Sequence, residues 1–183
     1  MIEIDDAGTG DLVGDAFIGF YRKNTKELLI KTIPVQLFYE EPWKKKAPYA
    51  KAVELVKEAF KEMNVSPNEL VKLCRGNIFD KVRSYFLKIE QYYQDAKIEG
   101  KLQDAVERHY INHLRKLGIR SRNLTIESGK KRYFILFDWV CKDFYKREKY
   151  VKSGFKKWKT TWRDKAIERF EKIQKSNDNS KKD

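Results

Sequence analysis

The chain has 183 residues, 41% hydrophobic and 14% aromatic, with a formal net charge of +13. That length and aromatic content suit one domain of ordinary size with a real core, and exclude an intrinsically disordered chain. The excess of Lys and Arg, 40 against 27 Asp and Glu, favours a polyanionic partner, nucleic acid above all.

Two cysteines, Cys74 and Cys141, form neither a disulfide framework nor a zinc-ligand spacing. His109 and His113 are one helical turn apart but lack the Glu of a zincin motif and an obvious third ligand. They read as partly buried or surface histidines. No apolar run is long enough to span a membrane, and the first residues show no signal-peptide pattern. An intracellular, cytoplasmic protein that contacts no membrane is expected.

In chain order, Ile2 and Ile4 alternate with Glu3 and Asp5, which predicts a first strand. The strand ends in Asp5-Asp6 and runs into Ala7-Gly8-Thr9-Gly10-Asp11-Leu12-Val13-Gly14. Three glycines within seven residues let another backbone or a ligand approach closely. Carboxylates at a strand end beside such a loop suit a divalent cation, because hard cations take oxygen ligands. A plain Asp-Gly hairpin turn is the alternative.

Residues 15–21 and 28–39 predict a second and a third strand around a polar turn, with Pro34 at an edge or bend. Residues 40–48 read as a loop. Tyr49, Val53, Val56, Phe60 and Met63 recur at helical spacing after Pro48, predicting a helix over 48–63. Residues 70–74 predict a fourth strand, followed by Arg75-Gly76. Ile78, Val82, Tyr85, Phe86 and Ile89 predict a second helix. Residues 92–98 suit a fifth strand, and Lys101–Leu117 a third helix stopped by Gly118.

The remaining third has a different character. Residues 123–126 and 133–140, around Ser128-Gly129-Lys130-Lys131, predict a β-hairpin. A long basic helix then spans 144–174 with a break near Gly154. Its apolar stripe is Val151, Phe155, Trp158, Trp162, Ala166, Phe170 and Ile173. Residues 142–175 hold 13 Lys and Arg against 5 Asp and Glu, so much of the excess charge lies here. Residues 176–183 form a polar tail, expected to be disordered.

This strand order, with Asp5 on the first strand, resembles the ribonuclease H-like superfamily. There a three-stranded meander and two further strands form a mixed α/β (α+β) sheet flanked by helices, and the first strand carries a catalytic Asp. Ile4-Asp5-Asp6-Ala7-Gly8-Thr9-Gly10 is similar to the Ile-Asp-Glu-Ala-Gly-Arg-Gly of type 2 ribonucleases H, and Leu12-Val13-Gly14 to its continuation. The topological resemblance covers about residues 1–118, and the motif about ten residues. Asp6 replaces Glu, and Thr9 replaces the substrate-contacting Arg. The fourth strand ends Cys74-Arg75-Gly76 without an acid. The family's later Asp-Gly and Ala-Ala-Ser motifs are absent. In layout the chain is closer to resolvase-type members, whose last acids open the third helix; Glu99, Asp104 and Glu107 occupy that stretch here. Residues 1–118 are thus expected to form the ribonuclease H-like core, and 119–175 a hairpin and basic helical extension.

The resemblance implies Mg²⁺ or Mn²⁺, two ions about 3.5–4 Å apart, hydrolysing phosphodiester bonds. Asp5, Asp6, Asp104 and Glu107 would be ligands, with Glu99 a further catalytic candidate. Asp104 and Glu107 share a helix face, although for either one alone a solvated face pairing with Lys101, Arg108 or Arg115 is the simpler reading. The glycine loop (Gly8, Thr9, Gly10), Arg75, Lys101, Lys130, Lys131, Arg132, Lys152, Lys156, Lys157, Lys159 and Arg163 are candidate phosphate contacts. Trp158 and Trp162 either stack on bases or dock their helix onto the domain. The expected substrate is RNA, RNA–DNA hybrid or branched DNA. Two alternatives stay open: a non-catalytic nucleic-acid-binding module, and a scaffold whose basic helix binds an acidic protein.

Overall fold

The computed structural model describes residues 1–127 and 129–179. Five strands form one mixed sheet: β1 (Ile2–Ala7), β2 (Ala16–Arg22), β3 (Glu27–Ile33), β4 (Val71–Cys74) and β5 (Tyr93–Ala96). Their order is β3-β2-β1-β4-β5. β1 pairs antiparallel with β2 and parallel with β4, so the strand bearing Asp5 and Asp6 is central. β2 pairs antiparallel with β3, and β4 parallel with β5. The five expected strands are all present. The third ends at Ile33, because Pro34 cannot continue the ladder.

Alternation along the strands assigns the two faces. Ile2, Ile4, Ile18, Phe20, Val71 and Leu73 pack against α2 (Ala47–Glu62) and α3 (Asp80–Lys88). A short α1 (Glu40–Lys44) lies in the stretch read as a loop. The α2 face centres on Ala52, Leu55, Val56 and Ala59, rotated from the expected stripe, with Met63 also buried. Small alanines let that helix lie close to the sheet.

The opposite face carries α4 (Lys101–Lys116), through Leu102, Val106, Tyr110 and Leu114. Gly19 on β2 allows this approach: a Cβ there would come within 2.8 Å of Leu102. His113 ties the same helix to the start of β2. Its Nε2 accepts the backbone N–H of Asp15 at 3.0 Å, a structural role for a neutral imidazole.

Residues 123–127 and 129–140 form no hairpin; Ser128, in the expected turn, lies outside the described residues. A 3-10 turn (Arg122–Thr125) leads to a helix, α5 (Gly129–Lys142). Arg132, Leu136, Phe137, Val140 and Cys141 lie on one buried helical face. A run of aromatic and β-branched residues suggests strand by propensity, but the helical period decides it once there is a surface to bury against. That surface comes chiefly from the helix Arg163–Asn179, and one buried cluster runs from Phe17 through Val106 and Tyr110 to Phe137, Phe144 and Trp158.

The long basic helix is also interrupted more deeply than expected. α6 (Phe144–Arg147) stops early, and residues 148–155 cross beside the glycine loop. There Val151 forms a β-bridge with Val13, and Lys152 N–H donates to Leu12 O at 2.9 Å. A π-helical turn (Trp158–Trp162) opens α7 (Arg163–Asn179). Residues 176–179, expected in a disordered tail, continue α7; residues 180–183 lie outside the described residues. No helix among the described residues is long and apolar enough to cross a membrane.

Candidate active site

β1 delivers two carboxylates to the sheet's C-terminal edge. Asp5 points to the α4 face and is only 5% exposed. The pairing of Ile4 with Leu73 puts the next residues, Asp5 and Cys74, side by side. The Cys74 thiol donates to the Asp5 carboxylate. Asp6, one residue on, rests against Gly76, where a Cβ would lie 2.8 Å from its Oδ1. Its other oxygen accepts from the Thr9 hydroxyl. Ligand atoms of Asp5, Asp6 and Cys74 lie within 4.8 Å of one another.

Arg83 fixes the end of β4. It donates to Cys74 O at 2.9 Å and Gly76 O at 3.3 Å, while its Nε holds Asp95 at 2.8 Å. This brace was not foreseen, because an arginine on a helix gives no local sign of reaching a loop seven residues earlier.

Asp6, the glycine loop and Glu107 line one cleft of about 590 Å³. Lys130, Lys157 and Trp162 close its far side. Its acids, Asp6, Asp11 and Glu107, stand in a lining that is otherwise mostly apolar. Burial first, and neighbouring carboxylates second, push the Asp6 carboxyl up to about 6. Asp5 and Glu107 are also raised, each chiefly by burial. The Cys74 thiol is pushed up to about 12 by burial and by the bond to Asp5, so it is protonated.

Arg132 counterbalances the acids. It is buried, and its guanidinium lies 3.2 Å from both Asp11 and Glu107. Its Nε donates to Glu127 O at 2.9 Å, which anchors the first turn of α5. Arg132 is therefore a wall of the cleft tied to two carboxylates. Asp11 is a further acid that the sequence reading passed over, since its position in a turn has a sufficient structural explanation.

Under the glycine loop sits Lys152, 0% exposed. Its Nζ donates to Gly8 O at 2.8 Å and to Asp11 O at 3.0 Å. Burial pushes it down to about 7. A neutral amine has two N–H groups, matching these two carbonyls. Lys152 was expected on a phosphate-binding surface; it is instead an internal brace that shapes the loop. Gly8 completes that shape. It has φ +78°, and a Cβ would come within 2.7 Å of the Tyr110 ring.

Other expected contacts are dispersed. Trp158 is 1% exposed and packs beside Phe144, so it docks its helix and presents no surface to a base. Trp162 is half-buried, its ring edge-on to Tyr133, Phe134 and Phe137 while lining the cleft. Lys131 pairs with Glu127, Lys159 with Glu40, and Arg163 with Glu148. Lys101 lies over the Tyr21 ring, 5.0 Å from its centroid. Arg75 and Lys156 are exposed.

Of the acids expected on the third helix, the cleft gathers Glu107. Glu99 is exposed and paired with Lys97. Asp104 faces a neighbouring groove with Arg108 and Arg115. Neither lines the cleft.

Asp5, Asp6 and Glu107 fit a hard divalent cation by donor chemistry. All three are oxygen donors, and their shared tendency to hold protons is what a bound cation relieves. The protonated Cys74 thiol is a hydrogen-bond donor to this set. Neither a protein-family model nor a curated protein matches the chain.

Proposed function

We propose that the chain is a ribonuclease H-like, metal-dependent nuclease that hydrolyses phosphodiester bonds in nucleic acid. The observation carrying this reading is the grouping of Asp5 with Asp6 at the end of β1, where Asp6 and Glu107 line one cleft faced by Lys130 and Lys157. The sheet order, with a meander, two parallel strands and Asp5 on the central strand, supports it.

In this reading Asp5, Asp6 and Glu107 hold Mg²⁺ or Mn²⁺, which when bound polarises a water and neutralises charge on the leaving oxygen. The chain's own residues do the rest. Thr9 orients the Asp6 carboxylate through its hydroxyl. Cys74 holds Asp5 in place. Lys130 and Lys157 bind phosphates of the strand, and Arg132 keeps Glu107 at the cleft wall.

The test is a panel of labelled RNA–DNA hybrid, duplex with a single ribonucleotide, branched DNA and single strands, incubated with Mn²⁺ or Mg²⁺. Cation-dependent cutting of one class is expected and names the substrate.

A second reading, a non-catalytic nucleic-acid-binding module, is favoured by one observation: Cys74 stands where the fourth strand of the resembling family supplies an acid. Salt-sensitive binding without cutting of any panel member would establish it. A scaffold for an acidic protein partner would bind none of the panel.

A further inference from the structure

A second cleft of about 350 Å³ opens on the other side of the glycine loop. It shares Thr9 and Gly10 with the acidic cleft. Its walls are Trp43, Tyr49 and Phe155, above the buried Phe38. The exposed Asn77 stands at its rim, one residue after the Gly76 that supports Asp6.

We propose that this cleft receives an unpaired nucleobase from the strand whose phosphate enters the acidic cleft. The substrate would then be single-stranded nucleic acid, or a structure with unpaired nucleotides beside the scissile bond. This inference rests on the nucleic-acid reading of the acidic cleft and deepens it.

The aromatic rings are held before any ligand arrives. A Cβ on Gly154 would lie 2.5 Å from that of Trp43, so the tryptophan is pressed against backbone. Phe38 stacks on Trp43 with centroids 6.0 Å apart, and Phe155 meets it edge-on at 5.3 Å. Trp43 and Tyr49 are partly buried and keep a minor part of their surface open. A rigid, partly open aromatic group is the usual platform for a splayed base, whose flat face stacks with little regard to sequence.

Polar and charged features agree with that occupant. The Asn77 amide makes no hydrogen bond among the described residues and offers both donors and an acceptor to a base edge. Lys45 and Lys46 follow Trp43, and Lys156 follows Phe155; all three are exposed and, among the described residues, make no ion pair. Cations beside an aromatic cleft complement a strand with a phosphate at every base. Gly10 has nothing within 4 Å of a would-be Cβ, so the ridge between the clefts leaves room for a sugar-phosphate backbone. Bases inside a duplex are paired and stacked and cannot enter.

The test compares a fluorescent oligothymidylate with an abasic oligomer of equal length, titrated at low salt with EDTA so that no turnover occurs. Wild type should bind the thymidine oligomer about tenfold or more tightly. Trp43→Leu should bring the two affinities together without weakening the abasic oligomer. Asn77→Ala, a change at an exposed residue, should narrow the ratio about threefold and guards against a Trp43 variant that does not fold. Equal affinities in wild type, or a ratio unchanged in both variants, would overturn the base site. If that happens while cation-dependent cutting persists, the nuclease reading stands and this inference alone falls. Binding of neither oligomer removes both.

Discussion

The Cys74 thiol donates to the carboxylate of Asp5 from the adjacent parallel strand, one position beyond the Ile4–Leu73 pair. Burial first, and this bond second, push the thiol up to about 12, and burial chiefly takes Cys141 to about 11. Only the thiolate alkylates. At pH 8 the native protein should therefore react with iodoacetamide at least about a hundredfold more slowly than a free thiol. Both cysteines should label readily in urea. Rapid native labelling of Cys74, read by peptide mass, would contradict this contact.

Asp6 links stability to pH with a definite sign. Its folded carboxyl titrates at about 6, against 3.8 for the ordinary group. The contribution of the retained proton is complete below 3.8 and is lost as pH rises through about 6. Removing the group isolates its share: Asp6→Asn should gain stability relative to wild type between pH 5 and 7.5 in EDTA. Mn²⁺ should raise the wild-type Tm at pH 7.5 far more than at pH 5, since a cation binds the ionised carboxylate. Scanning calorimetry of both proteins at the two pH values checks this, and an equal Mn²⁺ effect at both would count against the assignment.

Much of the first strand was legible because its signals are local: alternation, paired acids and closely spaced glycines occupy fourteen residues. A mixed sheet flanked by helices followed from the alternation of strand and helix patterns. What was not legible is what depends on distant chain. The α5 run, from Tyr133 to Val140, carries strand propensity and turns helical because α7 and the buried cluster offer it a face. Lys152 looks like one more surface cation until residues 148–155 pass under the glycine loop. Asp11, Glu107 and Arg132 are spread along the chain and meet only when folded, and no spacing announces them.

Lys152 provides a test of that brace. Its folded amine titrates near 7 against 10.5 unfolded. Between those values the unfolded chain binds the proton, so wild-type stability should rise with pH from about 7 towards 10.5 on its account. Lys152→Met removes that slope and leaves the Gly8 and Asp11 carbonyls without their donor. A loss of about 1–3 kcal/mol at pH 9 is expected, smaller at pH 7. Urea unfolding at both pH values measures it.

Lys157 lines the acidic cleft and, among the described residues, makes no ion pair. As a phosphate contact it should contribute one charge to binding. Lys157→Ala should weaken all nucleic-acid ligands similarly and lower the slope of log affinity against log salt by about 0.7 to 0.9. Lys61→Ala, exposed on α2 on the opposite face of the sheet, should leave the slope unchanged. Fluorescence anisotropy across a salt series distinguishes the two.

The most direct test of the metal site is the single-turnover cleavage rate of the preferred substrate against Mn²⁺ concentration, for wild type and Asp5→Asn. Asp5→Asn keeps the shape and removes one ligand charge at the centre of the sheet. The site described here predicts saturable cation dependence in wild type and a loss of at least about a hundredfold in the variant, with the fold and nucleic-acid affinity retained. Cleavage that proceeds equally in Asp5→Asn would contradict the assignment of Asp5, and with it the site.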